Sequence, residues 1–128
     1  MSKALVDTSI WINYFRNKKQ HNKLISLIEQ DIICTNQIIL SELVPSLIHS
    51  KQNELLEIIQ NVEIIPVIID WEIIINYQVL NLANGINKVG LIDLVIVQNT
   101  IDNNLILYSN DTHFNLMSKI LKFEVFEE

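Results

Sequence analysis

Four acidic residues stand out by where they fall along the chain. Asp7 directly follows the apolar run Lys3–Val6 and precedes two hydroxyl residues, Thr8 and Ser9. Asp111 follows the apolar segment Leu105–Ser109 by two residues. Glu42 lies inside the apolar stretch IILSEL (38–43), and Asp93 inside LIDLVIV (91–97). A carboxylate buried without a partner costs several kcal/mol or takes up a proton. Each of these acids therefore needs a helix cap, a salt bridge, solvent or a cation. Asp93 falls near an expected helix start, where an acid suits the positive end of the helix by ~0.3–1 kcal/mol. Taken singly, each acid is satisfied by such a structural role. Gathered in one place, four carboxylates repel one another unless a cation sits among them, and hard oxygen ligands of this kind suit Mg2+ or Mn2+.

The elements that would gather them alternate along the chain. Lys3–Val6 reads as a short buried strand, and Thr8 and Ser9 as caps for a helix carrying Ile10, Trp11, Tyr14 and Phe15 at helical spacing. Arg16–Lys23 reads as a basic loop; Leu24, Leu27 and Ile28 fit a second helix, and Asp31–Thr35 a second strand. Asn36–Ser50 reads as a helix with Leu40, Leu43, Leu47 and Ile48 inward and Pro45 kinking it. Gln52–Asn61 continues as helix. Glu63–Ile69 reads as a strand whose Pro66 suggests a sheet edge. Asp70 is placed to cap a helix over Trp71–Ala83, and Gly85–Gly90 is a turn. A helix over Leu91–Asn103, a strand over Leu105–Ser109, a helix over Thr112–Leu121 and a strand over Lys122–Phe126 complete the pattern. Strands alternating with helices predict a parallel sheet covered on both faces, with sites at the carboxyl ends of the strands. Asp7 and Asp111 fall at such ends. Asp31 belongs to the opposite rim, and Asp102, Glu29, Glu54 and Glu57 read as solvated helix faces.

The 128 residues fit one domain spanning 1–128, with 49% apolar residues to fill a core. The longest uncharged run, Ile73–Asn87, contains Asn, Gln and Tyr and falls short of the ~20 apolar residues of a membrane span. The N-terminal segment has no charged region followed by an apolar one, so no secretory signal is expected. The single Cys34 excludes an internal disulfide and reads as a small buried hydrophobe in a reducing, cytoplasmic setting. A net charge of −6 argues against a protein that simply coats nucleic acid. It is compatible with an enzyme that cuts it, since a metal site concentrates carboxylates. His113 reads as a surface residue at a helix start, and His21 and His49 as exposed. Trp11, Trp71, Tyr14, Tyr77 and Tyr108 read as core or interface.

At the four acids the sequence resembles the PIN-domain family, and within it the VapC-like toxins of bacterial toxin–antitoxin pairs. The segments that carry the resemblance are ALVDTSIWI (4–12), IILSEL (38–43), GLIDLVIV (90–97) and LILYSNDTHF (105–114). It extends over essentially the whole chain. It implies a three-layer α/β/α sandwich on a parallel sheet of about five strands, order 3-2-1-4-5. Asp7, Glu42, Asp93 and Asp111 match the family's acids, with Asp7, Asp93 and Asp111 as metal ligands and Thr8 and Ser109 as supporting hydroxyls. Two departures are modest: Pro45 follows the motif Glu, and Ile96 and Val97 replace small residues often seen after the motif Asp.

The resemblance further implies an endoribonuclease that uses one or two Mg2+ or Mn2+ ions, an antitoxin partner and a homodimer. The acidic net charge then requires a local basic face for RNA, for which Arg16, Lys18, Lys19 and Lys23 are the candidates. Trp11, Phe15 and Leu24 are the candidate partner or dimer contacts. The alternative is a catalytically silent PIN-like binding module. A haloacid-dehalogenase-like phosphatase is disfavoured because Ser9 stands where a second Asp is needed. A receiver domain is disfavoured because no acidic pair adjoins an early strand.

Overall fold

The computed structural model describes residues 2–17 and 22–127, with the side chain of Asn22 left aside. In chain order the elements are β1 (Ala4–Val6), α1 (Thr8–Arg16), α2 (Asn22–Glu29), β2 (Ile33–Thr35), α3 (Gln37–His49) and α4 (Asn53–Gln60). There follow β3 (Glu63–Ile64), α5 (Trp71–Ala83), α6 (Leu91–Asp102), β4 (Ile106–Tyr108), α7 (Thr112–Leu121) and β5 (Glu124–Phe126). The strands form one parallel sheet in the order β3-β2-β1-β4-β5. In β1 Leu5 pairs with Cys34 on one side and Leu107 on the other. All three residues of β1 are buried, as both-face coverage of a parallel sheet demands.

The chain leaves β1 toward β2 and β3, then crosses back to β4 and β5. Right-handed crossovers therefore put the first helices on one face and the last three on the other. Packing of α1 with α3 and α3 with α4, and of α5 with α6 and α7, follows that division. The expected α/β/α architecture and strand order are thus those observed. The reversal of winding opens a crevice at the carboxyl end of β1, the usual place for a ligand in such sheets. Among the described residues no helix is long and apolar enough to cross a membrane.

Several expected elements are shorter or differently bounded. The third strand ends after two residues at the sheet edge. Beyond Ile65, whose N–H still reaches the Thr35 carbonyl, Pro66 has no N–H to offer. The Pro66 and Ile68 carbonyls instead accept from the side chains of Asn99 and Gln98 on α6. Lys51, at φ 55°, breaks the expected continuity of α3 and α4. Helix α3 runs on through Pro45. Lys23 lies in α2 rather than in a loop. Of the expected inward residues of α3, Leu43 and Leu47 are buried, whereas Ile48 is exposed. Trp11, Tyr108 and Phe114 anchor the core, whereas Trp71 is exposed.

Candidate active site

Asp7 closes β1 and opens α1. Its N–H donates to the Tyr108 carbonyl at 2.9 Å, prolonging the β1–β4 ladder by one residue. Its side chain, only 8% exposed, does not cap the helix. Instead Oδ2 accepts hydroxyl hydrogen bonds from Ser9 and Ser109, each at 2.9 Å. Thr8 and Ser9 were expected as caps, yet the N-cap position falls to Asp7 and both hydroxyls turn to carboxylates. Ser9 serves Asp7, and Thr8 Oγ1 donates to Glu42 Oε1 at 3.3 Å. Ser9 is thus a site residue that sequence reasoning missed. The Asp-Thr-Ser spacing was visible, but a hydroxyl there reads equally well as a cap.

Ser109, fully buried at the end of β4, does double duty. While donating to Asp7, its Oγ accepts the Asp111 N–H at 3.1 Å. Asp111 caps α7: its Oδ1 accepts the His113 N–H at 2.9 Å and lies 3.3 Å from His113 Nδ1. His113 therefore touches a site acid rather than standing apart from it.

Asp93 occupies the first turn of α6, whose N-cap is Gly90. Burial pushes its pKa up, and the charges of Asp111 and Asp7 push the same way; a Gly90 backbone hydrogen bond and His113 oppose them. Glu42, in the middle of α3, is likewise raised, first by burial and then by Asp7 and Asp93, against its hydrogen bond from Thr8. The two upward shifts link all four acids into one electrostatic unit, although they come from four separate elements. Among the described residues no three His, Cys, Asp or Glu side chains are drawn closely enough together to enclose an ion already. The donor set itself, carboxylates backed by hydroxyls, is that of a hard divalent cation.

A family comparison matches the PIN domain over residues 4–120, a span that contains all four acids. The chain belongs to the PIN domain family. PIN domains are generally nucleases and generally use divalent metal ions. Among solved structures, this PIN domain is similar to a chain of DNA-bound VapBC from Salmonella typhimurium. That match has a TM-score of 0.76 and 18% identity, covering 99% of this chain and 98% of that one. It is also similar to a chain of VapBC2 from Rickettsia felis bound to a promoter DNA fragment, with a TM-score of 0.74, 21% identity and 98% of each chain covered. A chain of FitAcB from Neisseria gonorrhoeae gives a TM-score of 0.72 at 20% identity, covering 96% of each chain. No curated protein matches the sequence significantly.

The basic residues of this PIN domain are only partly gathered. Arg16 ends α1 and is exposed; Lys18, Lys19 and His21 lie outside the described residues. Lys23 Nζ donates to the Glu127 carbonyl at 3.0 Å and stands 4.9 Å from the centre of the Phe126 ring. That puts its charge at the carboxyl end of β5, on the rim that carries Asp7. Asp70 is a helix cap, accepting the Glu72 and Ile73 N–H groups. Trp11 and Leu24, expected as partner contacts, are fully buried, and Phe15 is half-buried. Exposed apolar residues occur on several elements; on α5 Trp71, Ile75, Val79 and Leu82 recur at helical spacing and form a stripe.

Proposed function

We propose that this PIN domain, read as a single domain over residues 1–128, is a metal-dependent endoribonuclease and the toxin of a toxin–antitoxin pair. The placement of four mutually interacting carboxylates around the end of β1, with Ser109 bonded to both Asp7 and the Asp111 backbone and Thr8 to Glu42, carries this reading. Asp7 and Asp93 would hold Mg2+ or Mn2+, one ion or two, with Asp111 binding directly or through water. The bound cation supplies charge neutralisation at the phosphodiester and a water of lowered pKa. The chain's own residues supply position. Ser9 and Ser109 fix Asp7 through one carboxylate oxygen, and Ser109 ties the Asp111 backbone to the same point. Thr8 orients Glu42, which acts through a water or helps to orient the nucleophile. No side-chain nucleophile is required.

The likeness to VapBC chains supports an antitoxin partner, and the cytoplasmic setting expected from the single Cys34 belongs to the same proposal. RNA would approach along the rim past Lys23, with Arg16 at the end of α1 a further candidate contact. The homodimer contact moves from α1 and α2 to the exposed α5 stripe. The rival reading is a catalytically silent PIN-like binding module.

Incubation of the protein with mixed RNA, in Mn2+ or in EDTA and beside Asp7→Asn, decides between them. The nuclease reading expects cleavage that requires both the metal and Asp7, with Mn2+ raising the melting temperature of the wild type. Absence of both effects favours the silent module.

A further inference from the structure

Between the two helical layers, beside the acids, the rim opens into a cavity of about 350 Å3 lined by Gln37, Ile38, Ser41, Glu42 and Ile92. Its walls come from the first turns of α3 and from the start of α6, the helices that carry Glu42 and Asp93. We propose that this cavity receives one nucleobase flanking the scissile phosphate and sets the sequence preference of cleavage. The inference rests on the nuclease reading and names a part of the substrate that this reading leaves open.

Three observations carry it. First, Glu42 belongs both to the carboxylate set and to the cavity wall, so a strand whose phosphate lies at the acids has a neighbouring base within reach of the cavity. Secondly, the lining contains no Lys or Arg and is apolar on two sides, Ile38 partly buried and Ile92 50% exposed. An anionic phosphate is disfavoured there, whereas the flat, neutral face of a base is accommodated. Thirdly, the volume lies at the low end of small-ligand pockets, roughly 300–1,000 Å3, which suits a single base rather than a helix or strand. Polar discrimination falls to Gln37, whose exposed amide offers both a donor and an acceptor to a base edge. The Ser41 hydroxyl is already committed to the Gln37 carbonyl at 2.6 Å.

The test uses the full chain with Mn2+. Scissile bonds are mapped on an RNA pool, and kcat/KM is then measured on the best RNA and on copies carrying an abasic nucleotide at each flanking position. At one flanking position the abasic copy is expected to be cut about tenfold more slowly by the wild type, the order of one lost base contact. Ile92→Ala, which shortens an exposed side chain, and Ile92→Trp, which fills the cavity, are expected to slow the intact RNA about as much. Both variants then treat intact and abasic RNA alike. Cleavage insensitive to every abasic position overturns the inference and leaves the nuclease reading intact. So does an Ile92→Trp variant as fast as the wild type on intact RNA, since a filled cavity then takes no part in cleavage. A wild type that cuts no RNA refutes both.

Discussion

The hydroxyl of Ser109 joins more of the candidate site than any acid does alone. It holds Asp7 and receives the Asp111 backbone while fully buried. Ser109→Ala is expected to cost about 2 kcal/mol, since it removes a hydrogen bond to a buried carboxylate. It should also lower cleavage by roughly 10–100-fold, the range for residues that orient metal ligands. Urea unfolding and initial rates of RNA cleavage check the two effects separately. Asp93 makes the opposite kind of prediction. Both Asp93 and Glu42 have raised pKa values, so the metal-free folded state holds their protons more tightly than the unfolded chain. The stability linked to those protons is present at acid pH and is lost as pH rises through the raised values. Asp93→Asn removes the charge but keeps an oxygen for the Gly90 N–H. In EDTA it should raise the melting temperature near pH 7 and gain less near pH 5, while cleavage is abolished. A variant less stable than wild type at both pH values would contradict the electrostatic account. At this scale the four acids were legible because carboxylates inside apolar runs demand a reason. Ser9 was not, because its role rests on a choice between equivalent hydrogen bonds.

Helices were more legible than strands. α7 was read at its true bounds and α5 at its Asp70 cap, since each begins with a capping acid and an apolar period follows. The third strand was read too long because EIIPVII has the apolar character of a buried strand. What ends it is a pair of amide side chains on α6 that take over its carbonyls, and sequence spacing contains no trace of that. Asn99 does most here: its Oδ1 accepts from Asn36 Nδ2 at 2.9 Å and its Nδ2 donates to the Pro66 carbonyl at 2.9 Å. Asn36 in turn caps α3 through the Ile39 N–H. One buried pair thus sets the start of the Glu42 helix against the Asp93 helix. Asn99→Ala leaves two polar groups unanswered and should cost about 2–4 kcal/mol, seen as a lower urea midpoint at unchanged slope.

For the whole molecule, periodicity yielded a covered parallel sheet, whereas the strand order came only with the family resemblance. Short strands at similar spacing fit several orders, and nothing in their spacing selects among them. The surface was the least legible part, because amphipathic spacing does not say which face another helix will cover. Trp11 and Leu24 looked available but lie under neighbouring elements, whereas α5 is left with a bare apolar stripe. If that stripe joins two copies, light scattering at micromolar concentration should give twice the 14.9 kDa chain mass. Val79→Lys, on an exposed position, should then return the monomer with the melting curve of the fold preserved. A monomeric wild type removes the dimer.

The hydrogen bond between Ser109 and Asp7 spans 102 positions of sequence. β1, the first strand to be synthesised, stands in the middle of the sheet and waits for β4 to complete it on one side. During translation Asp7, its neighbour Ser9 and Glu42 emerge well before the Ser109 hydroxyl, which gives Asp7 its second hydrogen bond, and the Asp111 carboxylate. Assembly of the acidic centre therefore waits until synthesis has passed Asp111. On the proposed nuclease reading, that interval is one in which a partner can be present before the first competent molecule forms.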